Sequence, residues 1–315
     1  MLNDTLPIVC MSDQEFFLFK TDVDSIQFKL QPGKSERFYV LLKDSLYAHT
    51  IIQGVKFQSE LLAFEAQKSN PQIEVAYSSS ESQYLQDLSS TFPVNHLLEG
   101  TQTEFDKILN ILNWTNSRWE HNGNNSPKKN DAISILKEAE AGNSFPCFAY
   151  AIVLRDQLNA LGFKARTIYL KSKDAATRTY SPGHVATEVY LNKLKKWIFL
   201  DGQFNVIPIL HDIPLNAVEF QKAIGTNYDQ LVLASKEAID KRDYVEFVYD
   251  YLYYLDTSLD HGYESKEKKN KIDGKSSLML VPLGAENLTR VNFWDLDVDY
   301  CLYTNSLKDF YRKPI

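Results

Sequence analysis

Between residues 15 and 78, hydrophobic positions come in short runs: EFFLFK, SIQFKL, RFYVLLK, AHTIIQGVKF and QIEVAYS. Aromatic and β-branched runs of this length, separated by polar punctuation, predict strands. QPGKSE, between two of them, predicts a turn. Its Gly33-Lys34-Ser35 does not make a phosphate loop, because that motif needs a glycine where Phe28 stands. From about residue 81 the apolar period lengthens. TQTEFDKILNILNWTNSRW sets Phe105, Ile108, Leu109, Leu112 and Trp119 at helical spacing, and Thr101 with Glu104 suits a capping box. EHNGNNSPKKN then predicts a polar loop, and DAISILKEAEAG a short helix ending at Gly142.

The next stretch, GNSFPCFAYAIVLRDQLNALGFKAR, predicts a second long helix. Pro146 suits the first helical position, where a missing N–H costs nothing, and Ser144 is a candidate cap. Gly162 suits a left-handed termination. ARTIYL, HVATEVYL and KWIFLDG follow as strands. Helices first and an antiparallel set of strands afterwards predict the α+β class. Beyond them, AVEFQKAI and SKEAIDKRDYVEFVYDYLYYL look helical, SLMLVPLG and DYCLYT extended, and ESKEKKNKIDGKSS a charged loop. The expected organisation is a β-rich N-terminal region (1–95), a core (96–210) and a mixed C-terminal extension (211–315) packed on that core.

Composition narrows the function classes. At 315 residues, 44% hydrophobic and 13% aromatic, the chain can bury a sizeable core. A formal net charge of −7 argues against nucleic acid as the main partner, since phosphate binding needs a basic face. No apolar run reaches the roughly eighteen residues of a membrane span, and no basic segment with an apolar stretch opens the chain. Cys10, Cys147 and Cys301 form no CxxC pair, so neither a zinc knuckle nor a disulfide framework is expected. Free thiols fit a reducing, cytoplasmic location. His49, His96, His121, His211 and His261 are scattered, without the i, i+4 pair of a zinc helix, and no EF-hand loop occurs. No metal or organic cofactor is expected.

Cys147 is the residue with chemical promise. A thiol in the first helical turn feels the partial positive charge of unpaired N–H groups, which favours the thiolate. Those groups can also stabilise an oxyanion. Such a thiol needs a base, and the base an orienting group. His184 opens one predicted strand and Asp201 ends the next. If LNKLKK joins those strands as a hairpin, the start of the first lies beside the end of the second, bringing imidazole and carboxylate together. Alone, each residue has a plainer role: a buried thiol, a surface histidine, a turn aspartate.

The order of these residues resembles the transglutaminase-like superfamily, whose core is a papain-like cysteine-enzyme fold. The resemblance covers about residues 105–208. It runs through Trp114 and Trp119, Cys147, Gly162-Phe163-Lys164-Ala165-Arg166, His184-Val185-Ala186-Thr187-Glu188-Val189 and Trp197-Ile198-Phe199-Leu200-Asp201. The chain departs from the family pattern at Phe145, Ala186 and Gly202, where glycine, tryptophan and proline are usual. The resemblance implies a helix bearing Cys147 packed on an antiparallel sheet bearing His184 and Asp201. Cys147 would be the nucleophile, His184 the base and later the acid, and Asp201 the orienting carboxylate. It further implies attack on an amide carbonyl through a thioester, with a peptide or protein as substrate. Hydrolysis is the expected outcome; the alternatives are glutamine transamidation or deamidation, and a binding protein without turnover. Arg166, Glu188 and Trp197 are expected to pack around the site, and the tyrosines of YDYLYYL to fill the core.

Overall fold

A computed structural model describes residues 2–13, 15–20, 23–41, 46–77, 79, 81–263 and 269–314. Two units emerge, one of Met1–Leu61 with Ala223–Leu231 and one of Leu62–Lys222 with Val232–Ile315. In the first, the aromatic runs form β2 (Phe16–Lys20), β3 (Ser25–Lys29), β4 (Ser35–Leu41) and β5 (Tyr47–Lys56), preceded by β1 (Leu2–Cys10). β1 lies parallel to β5 and β4 antiparallel to it, while β2 and β3 pair as a hairpin. Cys10, Leu30 and Ile52 form the buried centre, and Phe19 stacks on Phe38 at 4.5 Å. Gly33 turns the chain at φ 75°, so QPGKSE is the turn its composition suggests.

The second unit opens on helices α1 (Gln83–Thr91), α2 (Glu104–Asn116), α3 (Ala132–Glu140) and α4 (Cys147–Ala160). Thr103, not Thr101, caps α2, its hydroxyl accepting from the Asp106 N–H at 3.0 Å. Thr101 instead donates to the Leu98 carbonyl. Pro146 is the cap residue of α4 rather than its first helical residue; it is extended at φ −79°, ψ 179°, and Cys147 takes the first helical place. Ser144 provides no cap. Gly162 ends α4 at φ 85°, as expected, with the Phe163 N–H bonded to the Leu158 carbonyl at 3.0 Å. α4 is buried almost all round because α1, α2 and α3 pack against it and a sheet lies against it too.

That sheet is built from β6 (Lys164–Lys171), β7 (Gly183–Leu191) and β8 (Lys196–Leu200), joined as antiparallel neighbours. Downstream come β9 (Ile207–Leu210), β10 (Ile213–Pro214), α5 (Ala217–Thr226), β11 (Leu231–Ala234), α6 (Lys241–Val248), β12 (Tyr254–Ser258), β13 (Ser277–Leu280), β14 (Arg290–Val291), β15 (Leu296–Asp297), β16 (Cys301–Thr304) and α7 (Leu307–Phe310). The sheet runs β16-β13-β12-β6-β7-β8, antiparallel except between β13 and β16. The fold is therefore α+β, and residues beyond 250 supply strands of the sheet that carries His184.

Two expected elements differ. The helix expected over 235–255 is confined to α6 and a following 3-10 turn, because Tyr254–Asp256 pair with Tyr169–Lys171 of β6. QIEVAYS yields an isolated bridge instead of a strand, since the backbone bonds there are those of Ala76 with Leu259 and His261. Its Ser78, and residues 264–268 of the expected charged loop, lie outside the described residues.

Buried ion pairs brace the sheet, Lys171 of β6 with Asp256 of β12 at 2.9 Å among them. Arg166 on β6 faces Glu188 on β7, with Nη2 2.7 Å from Oε2 and both side chains fully covered. Arg166 also donates to the Phe310 carbonyl at 2.8 Å and lies over the Trp197 ring at 4.4 Å. Glu188 accepts from the Ala217 N–H and the Tyr311 hydroxyl. Both charges are thus satisfied, the condition under which a buried pair is tolerated.

Candidate active site

The hairpin β7–β8 positions the imidazole and the carboxylate. Thr187 pairs with Leu200, so His184, at the start of β7, lies on the same face as Asp201, just past the end of β8. His184 Nε2 is 2.7 Å from Asp201 Oδ2, and both residues are buried. Asp201 is held by its own turn: it pairs across the backbone with Val206, and its Oδ1 accepts from the N–H groups of Gln203 at 3.0 Å and Phe204 at 3.3 Å. Asn116, the last residue of α2, clasps that turn by donating to the Gly202 and Gln203 carbonyls.

Gly202 lets the turn approach α4. A Cβ there would lie 3.1 Å from Tyr150 Cβ, tighter than ordinary contact. A proline here would bring its Cβ into that contact with the helix that begins with Cys147. Phe145, where glycine is usual, is fully buried edge-on against Trp119 at 5.8 Å. Trp119 Nε1 donates to the Phe145 carbonyl, and Tyr150 donates back to the Trp119 carbonyl at 2.7 Å. The segment leading into α4 is thereby anchored from both sides.

Cys147 is partly exposed, whereas Cys10 and Cys301 are buried. Its side chain lies close enough to the His184 imidazole to contribute to raising the pKa of that ring. Because Nε2 is engaged by Asp201, Nδ1 is the nitrogen left for sulfur. Burial alone would push the His184 pKa down; the charge and hydrogen bond of Asp201, with a smaller contribution from Cys147, outweigh it and raise the value to about 10. The Ala149 N–H bonds the Pro146 carbonyl at 3.0 Å, which leaves the N–H groups of Cys147 and Phe148 as the donors at the start of α4 with no helical carbonyl to bond.

Two neighbours were not identified from the sequence. Tyr244 on α6 donates to Asp201 Oδ2 at 3.0 Å, and both are fully buried. Burial and the adjacent carboxylate hold the phenol well above its ordinary pKa, so it stays a donor. Its only sequence signal was membership of an aromatic-rich helix. His121, one of the scattered histidines, is exposed yet close enough for its pKa to be lowered, by partial burial first and then by the charge of His184. It lines a cleft of about 410 Å³ with Asn116, Glu120, Tyr150 and Gln203. Arg166, Glu188 and Trp197 form the buried cluster described above, as expected of packing residues.

Among the described residues, no group of three or more His, Cys, Asp or Glu side chains is arranged to hold a metal ion. No helix among them is long and apolar enough to cross a membrane.

Residues 94–202 match the family model of the transglutaminase-like superfamily, so the resemblance seen over 105–208 stands. No curated protein matches the chain. Among solved structures, the chain is similar to a Cytophaga hutchinsonii protein described as a "putative cysteine protease", at 16% identity and TM-score 0.32 over 58% of this chain and 64% of that one. It is also similar to a TGase, at 15% identity and TM-score 0.28 over 38% of this chain and 30% of that one. Calcium-bound LapG of Legionella pneumophila aligns at 14% identity and TM-score 0.28 over 54% of this chain and 98% of LapG. The chain thus spans just under two thirds of the first of these proteins and under a third of the second.

Proposed function

We propose that the protein is a cysteine hydrolase that cleaves a peptide or amide bond through Cys147, His184 and Asp201. The observation that carries this is the buried His184–Asp201 pair, 2.7 Å apart, with the partly exposed Cys147 near the imidazole at the start of α4. The thiol proton rests on His184 Nδ1 and the thiolate attacks the carbonyl carbon. Electrons of the C=O bond move to oxygen, beside the N–H groups of the first turn of α4. As the tetrahedral species collapses, the C–N bond breaks, and the departing nitrogen takes the proton from His184. A thioester on Cys147 remains.

Water then adds to the thioester, delivering one proton to His184. The C–S bond breaks and the sulfur leaves as thiolate beside the protonated imidazole, restoring the starting pair, so amide and water become acid and amine. Asp201 holds the imidazole with Nε2–H toward itself throughout. Hydrolysis is favoured over transfer to an amine because an open cleft next to the turn that holds Asp201, lined by Gln203 and by the exposed Glu120 and His121, admits water. The substrate is a peptide or protein.

Alkylation by iodoacetamide at pH 6, located by mass spectrometry, tests the reacting pair. Cys147 should react at least about tenfold faster than a free thiol, and His184→Ala should remove the advantage. Cys147→Ala should abolish cleavage of a quenched-fluorescence peptide library while the fold persists. A Cys147 no faster than a free thiol, or cleavage surviving in Cys147→Ala, would refute the mechanism.

A further inference from the structure

The surroundings of His184 are not alike on all sides. Toward α2 the cleft is polar, lined by Asn116, Glu120, His121 and Gln203. Toward α6 the imidazole is enclosed by aromatic rings. Phe247 meets it edge-on at 5.2 Å and 85°, Phe204 at 6.1 Å and 67°, and Tyr251 at 6.4 Å. These rings form one continuous surface, with Phe204 4.6 Å and Tyr251 5.6 Å from Phe247.

Phe247 is 36% exposed although α6 already buries Tyr244, Val245 and Val248 against the core. The helix therefore does not need this ring for its own packing, and the ring spends apolar area on solvent. Tyr251 is half-buried, and burial is the main cause that raises the pKa of its phenol. The aromatic surface thus adjoins the imidazole of the reacting pair.

We propose that Phe247, Phe204 and Tyr251 form a subsite for a bulky apolar side chain carried by the leaving-amine half of the substrate. This rests on the assignment of Cys147 and His184 as the reacting pair. The departing nitrogen must come within hydrogen-bond reach of the imidazole proton, so the chain attached to that nitrogen passes beside the groups packed on the imidazole. There it meets aromatic edges and faces, against which an apolar or aromatic side chain gains both area burial and ring contact. The acyl half, bonded to sulfur, extends toward the polar cleft.

A protection experiment reads this subsite without requiring turnover. Alkylation of Cys147 by iodoacetamide is timed in the presence of phenylalaninamide or serinamide, mimics of the released amine, and of N-acetylphenylalanine, a mimic of the released acid. Phenylalaninamide should halve the rate at about a tenfold lower concentration than serinamide. The difference should vanish in Phe247→Ser and be largely kept in Phe247→Leu, which preserves an apolar side chain should the serine variant fold poorly. Equal protection by the two amides, protection by neither, or stronger protection by N-acetylphenylalanine would overturn the proposal. A Cys147 rate independent of His184 in the same assay would instead reject the reacting pair itself, so the two failures are separable.

Discussion

Tyr244 places its hydroxyl 3.0 Å from Asp201 Oδ2, the same oxygen that holds His184 Nε2 at 2.7 Å. The carboxylate thereby receives donors at both oxygens: two backbone N–H groups at Oδ1, the phenol and the imidazole at Oδ2. A buried carboxylate so satisfied is fixed in direction, and the imidazole it holds is fixed with it. Under the proposed mechanism Tyr244 would act through Asp201, as a positioning residue.

Tyr244→Phe should cost about 1.5–3 kcal/mol of stability, the range for a hydrogen bond to a charged group. It should also slow Cys147 alkylation about tenfold, with the loss in turnover falling on kcat more than on KM. Urea denaturation and alkylation kinetics on the same preparation separate the two effects. An alkylation rate equal to wild type would reduce Tyr244 to a packing residue.

Asp201→Asn leaves the shape of the site while removing the charge that overcomes burial at His184. The imidazole, which keeps its proton to about pH 10 beside the carboxylate, should lose it below the ordinary 6.5 in the variant. An NMR titration of the His184 ring measures the midpoint. Cys147 alkylation at pH 7 should fall along with it.

The same raised value predicts a dependence of stability on pH. The folded-state pKa of His184 lies above its unfolded value, so its contribution is fully present below about pH 6.5 and is lost as pH rises through about 10. His261 has the opposite sign. Buried, and facing Arg166, Arg155 and Lys269, it is held well below 6.5, so its contribution is present above that pH and fades as pH falls. Denaturation from pH 5 to 10.5 should show wild type losing its advantage over His184→Gln on the alkaline side. The advantage over His261→Gln should shrink on the acid side.

Glu188→Ala should destabilise the protein by about 3–5 kcal/mol, because it strands the Arg166 guanidinium in the interior. The double variant Arg166→Met, Glu188→Leu should recover a large part of that loss. Chemical denaturation of the single and double variants checks both statements, and a single variant costing under 1 kcal/mol would contradict them.

Local chemistry alone determines much of this protein. The turn at Gly33, the end of α4 at Gly162 and the β7–β8 hairpin each follow from side chains within a few residues of one another. So does the meeting of His184 with Asp201, because a hairpin and a period of two are sufficient to place them on one face. Other features were decided only by the tertiary structure. β1 exists because its backbone finds β5 some forty residues later, and the uniformly apolar YLYYL gives no period by which to separate helix from strand. Its last residues become β12 because β6 offers an open edge. Tyr244 reaches Asp201, and Cys147 comes near His184, only once α6 and α4 are packed on the sheet. Contacts between distant segments depend on how those segments pack, and nothing local in the sequence encodes that.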